Sequence, residues 1–370
     1  GAAGLRRFIR MAGSVYRGDP AWVAPLQLER RLHLGRRNPY FEHAEWQAWI
    51  ALRGGRPVGR ISAQVDHLHR QHYGQDTGHF GMLEGEDDPE VFGALFAAAE
   101  SWLAARGTRR VSGPFNLSVN HECGLLVEGF DDPPMVMMPH NPPWYARHLE
   151  AQGYSPAKDL LAYRVDTGFT HPRPMQAVLR RYASRIRLRP LNRAKLAQEI
   201  DLLRELFNAA WAGNWGFVPF TEAEFADLGE TLRLLLPEDY VQIAELDGEP
   251  AAFIVGLPNL NEAIRDLNGR LLPLGWVRLL WRLKGRRLRS ARVALMGVLP
   301  RLQGTPLGSA LAFSVIAALQ THLRRDGVQW VEMSWILDDN TGMRSILEAI
   351  GSALYKRYRL YTKTLPEPAA

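Results

Sequence analysis

Within seven residues the chain carries Asn116, Ser118, Asn120, His121 and Glu122, followed by the apolar stretch Gly124 to Val127. Amides, a hydroxyl, an imidazole and a carboxylate this close together suit recognition of an amine and hydroxyl groups, with His121 or Glu122 accepting a proton. Asn and Ser side chains also close loops on their own backbone, so both uses stand open from the residues alone. A second group is Pro139-His140-Asn141-Pro-Pro-Trp144-Tyr145. Asn141 before two prolines suits a helix N-cap, whereas His140 and Tyr145 are candidate proton carriers. A third group, Glu332, Ser334, Trp335, Asp338, Asp339 and Asn340, closes an apolar strand. Asp338 is its candidate proton relay, although acids and Asn at that place equally cap and neutralise a helix start. No metal is expected, because His121, His140 and Cys123 lack ligand spacing.

These groups need elements to hold them. Val293 to Val298 has the length of a buried strand, Gln303 to Gly308 forms a compact turn, and an apolar helix opens at Ser309. Strand, tight turn and helix start gather backbone N–H groups onto an anion. Gln303, Gly304, Thr305, Leu307, Gly308 and Ser309 are therefore the candidate phosphate cradle, with Pro306 among them contributing no N–H. Asn214, Trp215 and Phe217 fall in a loop after an amphipathic helix, as walls of a substrate channel or as ordinary core.

The chain repeats itself. Trp49-Ile-Ala-Leu-Arg-Gly-Gly-Arg-Pro57 matches Gln242-Ile-Ala-Glu-Leu-Asp-Gly-Glu-Pro250, and each reads as a β-hairpin. Arg106-Gly107 to Val111 matches Asp326-Gly327 to Val331, and Leu149-Glu-Ala-Gln-Gly153 matches Leu347-Glu-Ala-Ile-Gly351. Both copies then run into an aromatic strand, around Tyr163 and Tyr358. Pro57 and Gly107 lie 50 residues apart, Pro250 and Gly327 lie 77 apart, so the second copy carries an insertion there. Gly107 to Gly153 is 46 residues and Gly327 to Gly351 is 24, so the first copy is the longer in that interval. Each copy reads as an α/β unit, a mixed sheet with helices on both faces. The expected boundaries are 1–166 with a substrate-site insertion at 113–141, a linker at 167–185, and 186–365 with a basic insertion at 258–292.

Composition agrees with two soluble domains: 370 residues, 46% apolar and 23% charged, with net charge +6. One cysteine, Cys123, excludes an internal disulfide and suggests a reducing compartment. No unbroken run of about 18 apolar residues occurs, so no membrane span is expected. No signal peptide is expected at residues 1–10, and the location expected is cytoplasmic, peripheral on the inner face of the membrane. Arg278 to Arg292 holds seven Lys and Arg residues and no acid. With Leu271, Leu272, Trp276 and Trp281 alongside, residues 271–292 have the composition of an interfacial segment on an anionic membrane. A solvated charged face or a nucleic-acid contact shares that composition, and the two tryptophans favour lipid over nucleic acid.

The motifs resemble a duplicated GCN5-related N-acetyltransferase (GNAT) fold, in which Gln/Arg-x-x-Gly-x-Gly/Ala opens a helix that cradles coenzyme A. Gln303 to Gly308 keeps the first and last positions, with Pro306 in place of the middle glycine. Asn340 and Gly351 keep a family spacing, and Leu347 occupies the position where many members carry a thiolate-protonating Tyr. The resemblance implies that backbone at Met296, Gly297 and Val298 polarises a thioester carbonyl, and that Asn340 belongs with the cofactor site. In the first copy, Glu84, Glu86, Asp87, Asp88 and Glu90 stand where that loop belongs and would repel a pyrophosphate. More narrowly, Tyr16-Arg-Gly-Asp-Pro-Ala-Trp-Val23, Gly113 to Leu126, Met137-Met-Pro-His140-Asn141, Asn214-Trp-Gly-Phe217 and Trp335-Ile-Leu-Asp338-Asp-Asn340 resemble a proteobacterial branch that includes bacterial ceramide synthases. The resemblance implies transfer from long-chain acyl-CoA to a lipid-like amine, a sphingoid base, without a covalent intermediate or a metal. The alternatives are aminoacyl-tRNA-dependent or small-amine acylation on the same fold, and a non-catalytic acyl-CoA or membrane-binding protein.

Overall fold

The computed structural model describes residues 1–285 and 288–366, and in 231–235 the backbone alone. Arg286 and Arg287 of the basic insertion lie outside the described residues. The chain forms two compact units: Gly1–Leu160 with Ile264–Trp276 and the residues from Lys356, and Leu161–Ala263 with Val277–Tyr355.

Both units start from the hairpins of the repeat. Arg53 faces Arg56 across one turn and Leu246 faces Glu249 across the other. Gly54 and Gly55 have φ of +56° and +79°, and Asp247 and Gly248 have +52° and +93°. Positive φ at both central residues matches the twist of paired strands, which is why Gly and Asp sit there. In unit 1 the strand order is Ala44–Arg53, Arg56–Asp66, Thr77–Gly85, Arg110–Gly113, then Ala353–Thr364. In unit 2 it is Ile186–Pro190, Val241–Leu246, Glu249–Pro258, Ser290–Val298, Trp330–Leu337, then the second half of Ser155–Asp166. The central pair is parallel in each, Thr77–His79 beside Arg110–Ser112 and Ser290–Val293 beside Trp330–Met333.

The sequence reading leaves each copy with its own closing aromatic strand. The structure exchanges them: Tyr361–Thr364 pairs with Gly113–Arg110 in unit 1, and Leu161–Asp166 closes unit 2. Both strands are buried on both faces over these stretches, with Leu360, Tyr361, Leu161, Ala162 and Tyr163 almost completely covered, so either sheet offers them equivalent burial. Within the stretch expected as a linker, 173–182 forms a basic helix whose Met175 is buried in the unit 2 core.

Each core is organised around one long helix laid on its sheet. Helix Pro89–Ala104 presents Val91, Phe92, Leu95, Phe96, Ala99 and Leu103, spaced by three and four. Gly59 lets it approach, since a Cβ there would sit 2.7 Å from Val91 and 2.9 Å from Leu95. Full burial of a side chain such as Phe92 or Phe96 contributes about 1.5–3 kcal/mol. Helix Pro306–Arg325 does the same in unit 2 with Leu311, Val315, Ile316, Leu319 and Leu323. By length and composition alone this helix could cross a bilayer, yet 56% of its apolar window is buried and its apolar face makes the unit 2 core.

Candidate active site

In unit 2 the parallel strands part. Ser290–Val298 pairs with Trp330–Leu337 only as far as Val293 and Met333. On its other edge it stays bonded to Glu249–Pro258 up to Val298, with Ala294 bulged out between Val293 and Leu295. A bulge bends the strand that carries it, so Met296, Gly297 and Val298 form a limb that has left its parallel neighbour. The limb is pinned from behind. Trp211 donates its indole N–H to the Met296 carbonyl at 2.9 Å. Gln303 donates to the carbonyls of Val298, at 2.8 Å, and Ala210, at 3.2 Å. Gly297 is required, because a Cβ would sit 2.7 Å from Ala210 and 2.8 Å from Phe253.

The turn after the limb fits an anion with few donors. Thr305 is the N-cap of helix Pro306–Arg325, and its hydroxyl accepts the Gly308 N–H at 3.0 Å. The N–H groups of Thr305 and Ser309 bond the carbonyls of Leu302 and Thr305. Pro306 has none to give. Gly304 and Leu307 are the N–H groups these bonds leave open. Gly304 is left-handed at φ +71°, and a Cβ on Gly308 would lie 2.0 Å from the Leu302 carbonyl oxygen. Arg301, exposed in the adjoining turn, supplies a cation that the sequence reading omits.

Where the strands part lies a buried polar cluster. Glu332 is 0% exposed and stands opposite Arg292 in the strand register. Its two oxygens accept from the hydroxyls of Ser334 and Tyr355, and Arg292 reaches Ser334 Oγ at 2.8 Å and Glu332 at 3.8 Å. Arg292 and Tyr355 were not among the sequence candidates. Opposed charges at matching positions of two otherwise apolar strands are the signal that could have found Arg292; nothing near Tyr355 in sequence points to Glu332.

The other candidates in unit 2 divide. Asn340 caps helix Thr341–Ala349 through the Met343 N–H, the alternative role open to it in the sequence. The Asp338 carbonyl accepts from Arg344. Trp335 meets Trp211 edge-on at 5.4 Å, which brings it to the pinned limb. Asn214 closes a turn with Phe217. Phe217 is buried against Phe207, and Trp215 is exposed. Leu347 is wholly buried in the core, so no tyrosine role is hidden nearby on that helix.

Unit 1 gathers the polar loop. Asn116 is fixed from both ends, accepting the Met82 N–H at 2.8 Å and donating to Glu122 at 3.0 Å. Glu122 is ion-paired with Arg30 of helix Gln27–His33. Burial raises its proton affinity, but the charge and hydrogen bond of Arg30, with Asn116, outweigh that and bring it down to about 2. Ser118 holds His121 Nδ1 at 2.9 Å and accepts the Asn120 N–H. His33 lies edge-on to His121, ring centres 5.1 Å apart. Burial, with His121 and Arg30 adding to it, lowers His33 to about 3, and its Nε2 is buried with no hydrogen-bond partner among the described residues.

The His140 side chain is 3% exposed and its Nε2 meets Asp19 at 2.8 Å. Its Nδ1 is buried with no hydrogen-bond partner among the described residues. Burial lowers its proton affinity, Asp19 opposes that, and the buried Lys356 adds to it. Tyr145 is committed elsewhere: it accepts the Gly85 N–H and donates to Glu84, each at 2.9 Å. Burial raises its proton affinity well above the usual phenol. Tyr16 shares Glu84 at 2.6 Å. Asn141 bonds both backbone groups of Leu126, so it splices a strand rather than capping a helix. The acidic run is spent on fold contacts, Glu86 with Arg56, Asp87 with Arg147 and His148, and Asp88 as a helix cap.

No family model matches the chain. Protein YghO of Escherichia coli is 51% identical over 362 residues, covering 98% of this chain and 93% of YghO. The bacterial ceramide synthase of Caulobacter vibrioides is 47% identical over 366 residues, covering 98% of this chain and 95% of that protein. Among solved structures, a tandem GNAT protein from the clavulanic acid biosynthesis pathway matches with a TM-score of 0.58 at 15% identity, covering 100% of this chain and 97% of the other. At that identity the structural match concerns the fold, which is tandem GNAT.

Proposed function

We infer the reaction from one premise: this chain belongs to the family that holds the Caulobacter vibrioides ceramide synthase and YghO. The reaction is N-acylation of a sphingoid base by a long-chain acyl-CoA, giving an amide and free coenzyme A. The observation that carries this reading is the limb Met296–Val298, parted from its parallel neighbour and leading straight into the Gln303–Gly308 turn. Coenzyme A, when bound, supplies an activated thioester. Gly304 and Leu307 would hold its phosphates with Arg301 close by, and backbone of the limb would polarise the acyl carbonyl. The Glu332–Tyr355–Ser334 cluster keeps a carboxylate and two hydroxyls at the root of the opening, where the proton released by the attacking amine can be taken up. His121, Glu122 and His140 remain the candidates for recognising amine and hydroxyl groups in unit 1.

The membrane reading has an exposed face to support it. In the segment 271–284, Leu272 is 78% exposed, Trp281 58% and Leu274 64%. No Asp or Glu occurs between Asp266 and Asp326. Apolar side chains beside cations without acids fit an anionic bilayer surface. Trp276→Ser with Trp281→Ser is expected to reduce co-sedimentation with phosphatidylglycerol vesicles at least threefold; unchanged pelleting removes this contact.

The test of the reaction is thiol release from a panel of acyl-CoA chain lengths with and without sphinganine. Sphinganine-dependent release with an amide product is expected. Release that needs charged tRNA and vanishes in high salt moves the acceptor to aminoacyl-tRNA. No amine-dependent release from any donor overturns the reading.

A further inference from the structure

Unit 1 holds a basic groove apart from the candidate catalytic and substrate-recognition residues. Helix Ala2–Val15 buries Phe8, Ile9, Met11 and Ala12, and with Arg60 bonded to the Phe8 carbonyl at 2.9 Å its rotation is fixed. That rotation turns Arg6, Arg7 and Arg10 outward, all exposed. Arg17 follows the end of the helix, and Arg56 comes from the hairpin turn opposite. These five guanidinium groups, with Pro57, line a groove of about 590 Å³ to which no carboxylate contributes.

The partners of these arginines leave the charge in place. Arg7 donates to the Gly55 carbonyl at 2.9 Å and Arg10 to the Gln27 amide oxygen at 3.2 Å, both neutral acceptors. Arg56 alone has a carboxylate, Glu86. Arg6 and Arg17 have no ion-pair partner among the described residues. Arg56 shares its fork with Glu86, so four uncompensated like charges face one concavity and repel one another, and the planar fork of a guanidinium matches phosphate oxygens two at a time. The uncompensated arginines stand on the helix wall and just beyond its end, so a ligand would be held from that side, with the hairpin turn at Arg56 and Pro57 closing the groove opposite. From Arg6 to Ser14 the helix wall advances about 12 Å, room for more than one phosphate.

We propose that this groove binds a ligand carrying two or more phosphate groups. The same chemistry is offered by a soluble diphosphate ester and by neighbouring phosphodiester headgroups of an anionic bilayer. The site stands on unit 1 alone and does not depend on the proposed reaction.

The experiment uses the full chain and two probes, inorganic pyrophosphate by calorimetry and vesicles of phosphatidylglycerol against phosphatidylcholine by co-sedimentation. Arg6→Glu with Arg17→Glu is expected to weaken pyrophosphate binding at least tenfold or, in a background already carrying Trp276→Ser and Trp281→Ser, to abolish the remaining phosphatidylglycerol-selective pelleting, with an unchanged circular dichroism spectrum. Arg17→Ala, beyond the helix, repeats the test should the double variant fold poorly. Loss of pyrophosphate binding with unchanged pelleting assigns a soluble ligand. Loss of selective phosphatidylglycerol pelleting assigns headgroups. Wild-type protein that binds neither probe, or variants that bind both as well as wild type, overturns the proposal.

Discussion

Arg30 and Glu122 form an ion pair that ties helix Gln27–His33 to the short strand Glu122–Cys123, with side chains only 15% and 16% exposed. Arg30 does to Glu122 what a general base does not want. It holds the carboxylate ionised, at about 2, so Glu122 has little affinity for an ammonium proton and serves as an anchor for Asn116 and the loop above it. Removing the cation strands a partly buried charge. Arg30→Met is expected to lower unfolding stability by about 3 kcal/mol, and Glu122→Gln added to it to recover part of the loss. Urea midpoints for the two variants give the measurement; equal stability of Arg30→Met and wild type would refute the anchoring role.

Acid should act on this cluster in two stages. His33 is lowered from 6.5 to about 3 by burial, so the folded state prefers it neutral. That contribution is complete above pH 6.5 and drains away as pH falls toward 3. Glu122 is lowered from 4.5 to about 2, so its contribution is complete above pH 4.5 and is lost below it. Urea midpoints of wild type should decline from pH 6.5 downward. His33→Gln should make the limb between 6.5 and 4.5 shallower, leaving the share of His69, His79 and His140, which burial also lowers, and should leave the lower limb unchanged.

The turn at Pro306 offers a trade. Pro306→Gly restores one N–H where the helix begins, and is expected to tighten coenzyme A binding two- to fivefold while lowering the melting temperature by a few degrees, since glycine loosens a first helical turn. Gly308→Ala should do the reverse of help, because its Cβ meets the Leu302 carbonyl at 2.0 Å; a loss of at least tenfold in coenzyme A affinity is expected. Calorimetric titration with coenzyme A reads both. Equal affinities for all three proteins would remove the turn from the binding site.

Much of this arrangement was legible because it is local. The Gly54-Gly55 and Asp247-Gly248 turns announce their hairpins through residues that accept positive φ, and Thr305-Pro306 announces a helix start. Asn340 was legible as a cap for the same reason. What was hidden is long-range. Nothing near Glu122 in sequence names Arg30, nothing near His140 names Asp19, and Tyr145 looked reactive until Glu84 and Gly85 enclosed its hydroxyl. Closing strands of similar pattern could not reveal which sheet each would join.

The Tyr355–Glu332 contact separates chemistry from scaffolding. Tyr355→Phe removes one hydroxyl from a satisfied carboxylate and keeps the ring against Trp330, 6.3 Å away. Turnover is expected to fall at least tenfold with the KM for acyl-CoA within threefold of wild type and the melting temperature within a few degrees. A parallel loss of stability and activity would assign the cluster to the fold alone.

The exchange of closing strands has a consequence during synthesis. Arg110–Gly113 has its edge partner in Tyr361–Thr364, residues that leave the ribosome about 250 positions later. Residues 110–113 must therefore wait, with that sheet edge uncovered, until Tyr361–Thr364 have been made. A chain divided after Asp166 would yield two fragments, each holding the strand the other needs. The duplication that built this protein is in that sense no longer reversible by simple fission, and co-expressed fragments would regain activity only by finding each other.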